Sequence, residues 1–359
     1  MRTLLCLLLL LALFFVPVSA EEYSVDVSAV EEGLTEEARE VSGNLVTDGS
    51  YELQGAFERL IVKAKEELIG QIRGSLADLT RIAAIAVACA LTKSLCADGR
   101  ISEIVSVCAC AAVVLNTASA FDSLAGEMTE TVRSLCDYAR VSLPAVYTAA
   151  AVSGAVVSSG ARYAAVMLCL NVLMDVLSRV MIPLIYANMA LCISRSVFPN
   201  PVLGAVISAV KWGCVTALTA LAMGIGAYIG LTGALTGGAD ALAVKGTKTV
   251  IASALPVVGG ILSDAASVVL AGASMIKNAA GTFALVGVCA MCLGPFAAIG
   301  IKMLLFRLCA AIASAVENGR LSVLLRDLSA SLGMMLGVLG TVTIMLFLSF
   351  AAAIRTVSG

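Results

Sequence analysis

From Leu79 onward the chain is a series of apolar segments, each about the 20 residues that a helix needs to cross a bilayer. That pattern constrains the fold more than any other feature. Candidate spans are Leu79–Ala97, Ile101–Phe121, Val141–Ala161, Tyr163–Ile193, Val202–Leu235, Thr249–Ser274, Ala279–Phe306 and Ser331–Ile354. The composition agrees, with 60% hydrophobic and 13% charged residues. A soluble domain is roughly half apolar and about a quarter charged, because its surface must be hydrated. The expectation is an all-α, polytopic helical bundle of about six to eight spans. Polar connections are expected at Phe121–Arg140 and Val316–Asp327, and a turn at Ser194–Pro201 around Pro199-Asn200-Pro201.

The first twenty residues read as a targeting segment. Arg2 precedes the unbroken apolar run Leu4–Val16, Pro17 ends it, and Val18-Ser19-Ala20 has the small residues of a cleavage site. Residues 21–78 follow as an exported acidic segment. Its second part, Glu52–Asp78, repeats apolar residues at three- and four-residue steps (Leu53, Phe57, Leu60, Ala64, Leu68, Ile72). Such an amphipathic helix suits a membrane surface, a partner helix or the chain's own membrane domain. Residues 79–359 form the polytopic domain. Charge divides along the chain: Glu21–Arg140 has 20 acidic and 10 basic residues, and Val141 to the end has 5 and 12.

Histidine is absent, which removes Ser-His-Asp and Cys-His catalysis and histidine metal sites. The net charge of −2 offers no footprint for nucleic acid. There is no GxxxxGK[ST] phosphate loop. Cys108-x-Cys110 and Cys289-x-x-Cys292 lie inside apolar runs, where cysteine acts as a small hydrophobe. No catalytic residue, metal or cofactor is expected.

Three features remain as candidate functional residues. Gly226/Gly230, Gly233/Gly237 and Gly333/Gly337 are GxxxG pairs that let helix backbones approach closely. Asp175 and Arg179 stand four residues apart and can pair on one helix inside an apolar run. The third is Lys245–Gly281, where Pro256 and Gly259-Gly260 interrupt the helix and Asp264, Lys277 and Asn278 follow. Lys245, Lys248 and Lys277 bracket it, which favours cytoplasm on both sides and a re-entrant entry into the membrane. Arg355 favours a cytoplasmic carboxyl end.

The run KGTKTVIASALPVVGGILSDAASVVLAGASMIKNAAG, from Lys245 to Gly281, resembles the stage III sporulation protein AE family of endospore-forming bacteria. Its PVVGG core, the SDA that follows and the later KNA carry the resemblance. The signal segment, the acidic exported stretch and a last span after NGRLSVLLRDLSASLG agree with it. The resemblance implies a non-enzymatic membrane subunit of the channel complex joining mother cell and forespore. It also implies a place in the mother-cell membrane and partners that include a secretion-type ATPase and intermembrane ring proteins. The alternative from the residues alone is a stand-alone transporter using Asp264 and Asp175 as relays.

If Val18-Ser19-Ala20 is a cleavage site, amino-terminal sequencing of membrane-purified protein will read Glu21-Glu22 first. A chain beginning at Met1 refutes cleavage.

Overall fold

The computed structural model describes residues 34, 35, 39, 46, 47, 50, 51, 53–95, 99–153, 156–198, 200–254, 259–316 and 319–354, with the side chains of 53–58, 99, 229, 233–279 and 316 left outside. The signal segment and most of residues 21–52 lie outside the described residues. A two-residue antiparallel pair, β1 (Val46–Thr47) with β2 (Ser50–Tyr51), precedes the helices. The helices are α1 (Leu53–Leu95), α2 (Gly99–Val152), α3 (Val156–Val176), α4 (Ile182–Val197), α5 (Pro201–Ala254), α6 (Gly259–Val316) and α7 (Arg320–Ile354). A π-helical turn, Leu177–Met181, joins α3 to α4 without a break.

Six helical segments are long and apolar enough to cross a membrane: Arg59–Leu95, Arg100–Val152, Val156–Val197, Pro201–Thr232, Ala280–Ala315 and Arg320–Ile354. Several expected boundaries differ: Val141–Ala161 is divided between α2 and α3, α5 runs on to Ala254, and α7 begins at Arg320, inside the expected connection Val316–Asp327. The polar stretch Phe121–Arg140 is helical throughout and joins Ile101–Phe121 to the first part of Val141–Ala161 within α2. The amphipathic stretch before Asp78 runs on into the next apolar segment as α1. In α2 the charged residues recur on one side of a helix that is buried on the other, whereas α1 before Asp78 buries, among its described side chains, only Leu60 and Ser75 and exposes Leu68, Ile72 and Leu76. In α2 between Phe121 and Arg140, Leu124, Met128, Leu135 and Tyr138 are buried while Glu127, Glu130, Arg133 and Asp137 are exposed. Helical propensity survives charge; only the burial pattern changes.

Local chemistry accounts for the ends. Asn200 caps α5, its side-chain oxygen accepting the Val202 N–H at 2.9 Å, with Pro201 in the first helical position, where its missing N–H costs nothing. Pro183 lacks the N–H that would bond the Arg179 carbonyl, and the backbone answers with the widened π turn, Ile182 N–H bonding back to Leu177 O. Hydroxyls inside the helices satisfy themselves locally. Thr117, Ser142, Thr343 and Ser349 donate to carbonyls four residues back at 2.8, 2.7, 2.9 and 2.7 Å.

Short connections make successive helices antiparallel. At one end Arg320 pairs with Glu103 and donates to the Val197 carbonyl, so the starts of α2 and α7 meet the close of α4. At the other end Arg162 donates to Ala352 O at 2.7 Å and Tyr147 to Ser349 O at 3.1 Å. There Gly281 of α6 lies against Ile354, the last residue of α7. α7 is the central element and packs on α2, α3, α4, α5 and α6, while α1 lies along α6 and α2. α1 and α6 run parallel, Asp78 beside Lys302. Six crossings by these segments would bring the start of α1 and the end of α7 out on the same side. An exported amino-terminal segment and a cytoplasmic Arg355 therefore do not go together in this topology.

Gly287 makes the closest inter-helix approach used by a polar group. A Cβ there would fall 2.6 Å from both Tyr138 Oη and Leu34 Cδ2. Its absence lets the buried Tyr138 hydroxyl donate to Ala284 O at 3.3 Å. Gly287→Val should therefore expel Tyr138 and cost about 1–3 kcal/mol as overpacking. Thermal unfolding of the purified protein in detergent checks this, with Gly230→Ala as the control, since nothing lies within 4 Å of a Cβ at Gly230. Equal melting temperatures for the two variants would contradict it.

Candidate functional site: a charge centre beneath the helix connections

Asp327 lies two turns into α7 from Arg320 and is 6% exposed. Its two carboxylate oxygens accept from different helices: Oδ2 from Arg195 of α4 at 3.1 Å, and Oδ1 from Lys211 of α5 at 2.8 Å. One carboxylate thus faces two cations, both themselves largely covered. One turn further, Ser331 donates to the Asp327 carbonyl and accepts from Asn188 Nδ2 at 2.8 Å. The Asn188 side chain is fully buried, and its Oδ1 has no hydrogen-bond partner. Gly204 leaves room for the arginine: a Cβ there would come 3.2 Å from the guanidinium. Three helices are fastened at one point, at the end of the bundle that carries the three short connections.

A second, partly buried pair joins α1 to α6. Lys302 Nζ donates to Asp78 Oδ2 at 2.9 Å beside a small cavity lined also by Asn116, Thr117 and Phe121. The Asn116 amide nitrogen is buried there without a partner. A single ordered water would satisfy it in a polar site of this kind.

The expected residues are placed as follows. Asp175 and Arg179 pair at 3.3 Å, and both are exposed, 67% and 79%. Arg179 belongs to the π turn. A Cβ at Gly226 would meet Leu348 of α7 at 3.5 Å, at Gly333 Met303 of α6 at 3.5 Å, and at Gly337 Leu218 of α5 at 3.2 Å. Gly233 and Gly237 lie within α5 and Gly259, Gly260, Asp264, Lys277 and Asn278 within α6, with side chains outside the described residues. Pro256 falls at 255–258, between α5 and α6, also outside them. Cys292 is buried with its sulfur 3.1 Å from Thr343 Oγ1, and Cys289 is partly buried. Among the described residues no three Cys, Asp or Glu side chains converge as a metal site would.

Sequence reading missed the Asp327 centre. Arg195 and Lys211 are visible as charges beside apolar runs, but Asp327 reads as the end of a polar connection. Its neighbours are distant in sequence, separated from it by 132 and 116 positions. The available signal was an acidic residue one turn before the last apolar run, with unplaced cations elsewhere.

Six helical segments long and apolar enough to cross a membrane, fastened at Asp327 and at Asp78–Lys302 by partly covered ion pairs, mark a polytopic helical membrane protein. A family model described as stage III sporulation protein AE matches residues 41–357, nearly the whole chain. The chain belongs to that family. No curated protein and no solved structure matches it.

Removing Asp327 strands two covered cations. Asp327→Leu should destabilise the protein by about 3–5 kcal/mol, whereas adding Arg195→Met and Lys211→Met to it should recover most of the loss. Melting temperatures of the three-residue and single variants in the same detergent test this. A single variant as stable as the parent would show that the centre holds nothing together.

Proposed function

We propose that this sporulation membrane protein is a non-enzymatic subunit of the channel complex linking mother cell and forespore, required for endospore formation. Membership of the stage III sporulation protein AE family over residues 41–357 carries the reading. The resemblance implies the partners: a cytoplasmic secretion-type ATPase, intermembrane ring proteins and the lipid bilayer, with the chain in the mother-cell membrane. Pull-down of a tagged chain from sporulating cells tests it. Recovery of the ATPase and ring proteins supports the reading; recovery of the chain alone, from cells that complete sporulation without it, overturns it.

The exported amino-terminal segment sets the proposed orientation. The signal-like residues 1–20 send the start of α1 outside, and six crossings return the end of α7 to that side. The opposite end then faces the cytoplasm with Lys93, Arg100, Arg195, Lys211, Arg307, Arg320 and Arg326, in keeping with positive charge inside. The limbs holding Lys245 and Lys277 share one side of the membrane, as a re-entrant segment also requires, but that side is extracytoplasmic. Residues 245–281 remain the proposed functional segment, with Asp264 facing a partner or a wet cavity.

Two measurements check this. A cysteine placed at Gly246 or at Lys277 should react with a membrane-impermeant maleimide in intact cells, and one at Asn318 only after permeabilisation. Gly246 and Lys277 labelling from opposite sides would overturn the shared-side topology. Asp264→Leu should block forespore development with the protein still in the membrane, while Asp264→Asn is milder if the side chain only hydrogen-bonds.

A further inference from the structure

Arg195 and Lys211 meet Asp327 from two helices, and two positive charges against one negative leave a surplus of +1. Among the described residues Asp327 is the acid that pairs with either cation. The bonds to it use one of the guanidinium's five N–H groups and one of the ammonium's three. Neither cation is sealed in. The Arg195 side chain is 32% exposed and that of Lys211 23%, against 9% for Asp327. The carboxylate therefore lies at the back of the centre and the two cations at its mouth.

That mouth opens between α4 and α5. Arg195 lies over Gly204, its guanidinium 3.2 Å from where a Cβ would stand. Gly204, Ser208 and Lys211 follow at four- and three-residue steps along one face of α5. Ser208, between the other two in this row, is exposed, and its hydroxyl donates to Gly204 O at 2.9 Å. Around this polar strip the surface is apolar. Phe198, Val202, Val206, Trp212 and Val215 are all exposed, and beyond Lys211 α5 carries no charged residue until Asp240.

α4 and α5 belong to successive segments long and apolar enough to cross the membrane, Val156–Val197 and Pro201–Thr232. The connection between two crossings lies outside the hydrocarbon layer, and Arg195 is within one turn of this one. Surplus positive charge at a membrane face, with an apolar helix face running away from it, matches an amphiphile with a negative head. A soluble anion would use the first feature and leave the second unexplained. Trp212 beside Lys211 fits the same level, since tryptophan favours the zone between headgroups and chains.

We infer that the crevice between α4 and α5 binds the phosphate of an anionic phospholipid through Arg195, Lys211 and Ser208, with the acyl chains along the exposed face of α5 from Val206 to Leu231. Such a site needs only the crossings of α4 and α5 and no other protein.

The test is lipid binding to the purified full chain in neutral detergent, read by native mass spectrometry and by the rise in melting temperature. Phosphatidylglycerol should bind about fivefold more tightly than phosphatidylcholine, whose head has no net charge. Arg195→Gln or Lys211→Gln should each weaken phosphatidylglycerol binding about fivefold, the worth of one cation near an anionic head, while Arg307→Gln on α6 should not change it. Both of those single changes also disturb the ion-pair centre, so two further variants separate binding from folding. Asp327→Asn leaves both cations without their carboxylate and should tighten phosphatidylglycerol binding about fivefold, which a purely structural centre would not do. The variant with Asp327→Leu, Arg195→Met and Lys211→Met should stay folded and bind the two lipids alike. Inorganic phosphate at the same concentration should leave the melting temperature unchanged. Equal binding of the two lipids by the parent, a preference that survives in the three-residue variant, weaker binding in Asp327→Asn, or a rise with inorganic phosphate equal to that with phosphatidylglycerol would each overturn the inference. No partner protein enters the assay, so its failure leaves the channel reading untouched.

Discussion

The paired charge of Asp327 fixes how the last helix sits among the others. In a bilayer, apolar packing between helices gains little over contact with lipid, so close packing and polar contacts decide which helices associate. α7 is apolar almost throughout and, by pattern alone, could sit anywhere in the bundle. Asp327 removes that freedom, because its carboxylate accepts from α4 and α5 at once. Arg320, two turns earlier, adds the starts of α2 and the end of α4. Together they set the depth of α7, and Ser329, Thr343 and Ser349 continue that register down its length.

The buried ion pairs have a cost, since taking charges out of water is unfavourable, and a hydrophobic substitute of similar shape is often as stable. Their value is specificity of arrangement. Asp78 with Lys302 likewise fixes α1 against α6 in one register, although α1 otherwise has one mostly exposed face. Glycines act in the same sense at short range. Gly204 admits a guanidinium, and Gly287 admits a tyrosine hydroxyl. In each case the small residue matters because a polar group of a neighbouring helix passes over it.

This division of roles bears on function. One end of the bundle is cross-braced by charge, while α5 and α6 run on past Gly226 and Gly281, the levels where α7 ends. The family resemblance is concentrated in that stretch. The braced end and the longer helical pair therefore lie at opposite ends of the bundle.

The sequence by itself determined that the chain is helical and membrane-crossing, because length and hydropathy report directly on transfer into lipid. It also determined the helix start at Pro201, capped by Asn200, since proline acts on its own backbone. The local pair Asp175–Arg179 was legible because four residues make one helical turn. The remainder depended on tertiary structure. That Phe121–Arg140 continues a helix instead of linking two could not be read, because charge lowers hydropathy whether a segment leaves the bilayer or passes through it with one face covered. The choice of Arg195 and Lys211 as partners for Asp327, and of Asp78 for Lys302, was equally hidden. Each joins residues more than 100 positions apart, and only the packing of intervening helices brings them within hydrogen-bond reach.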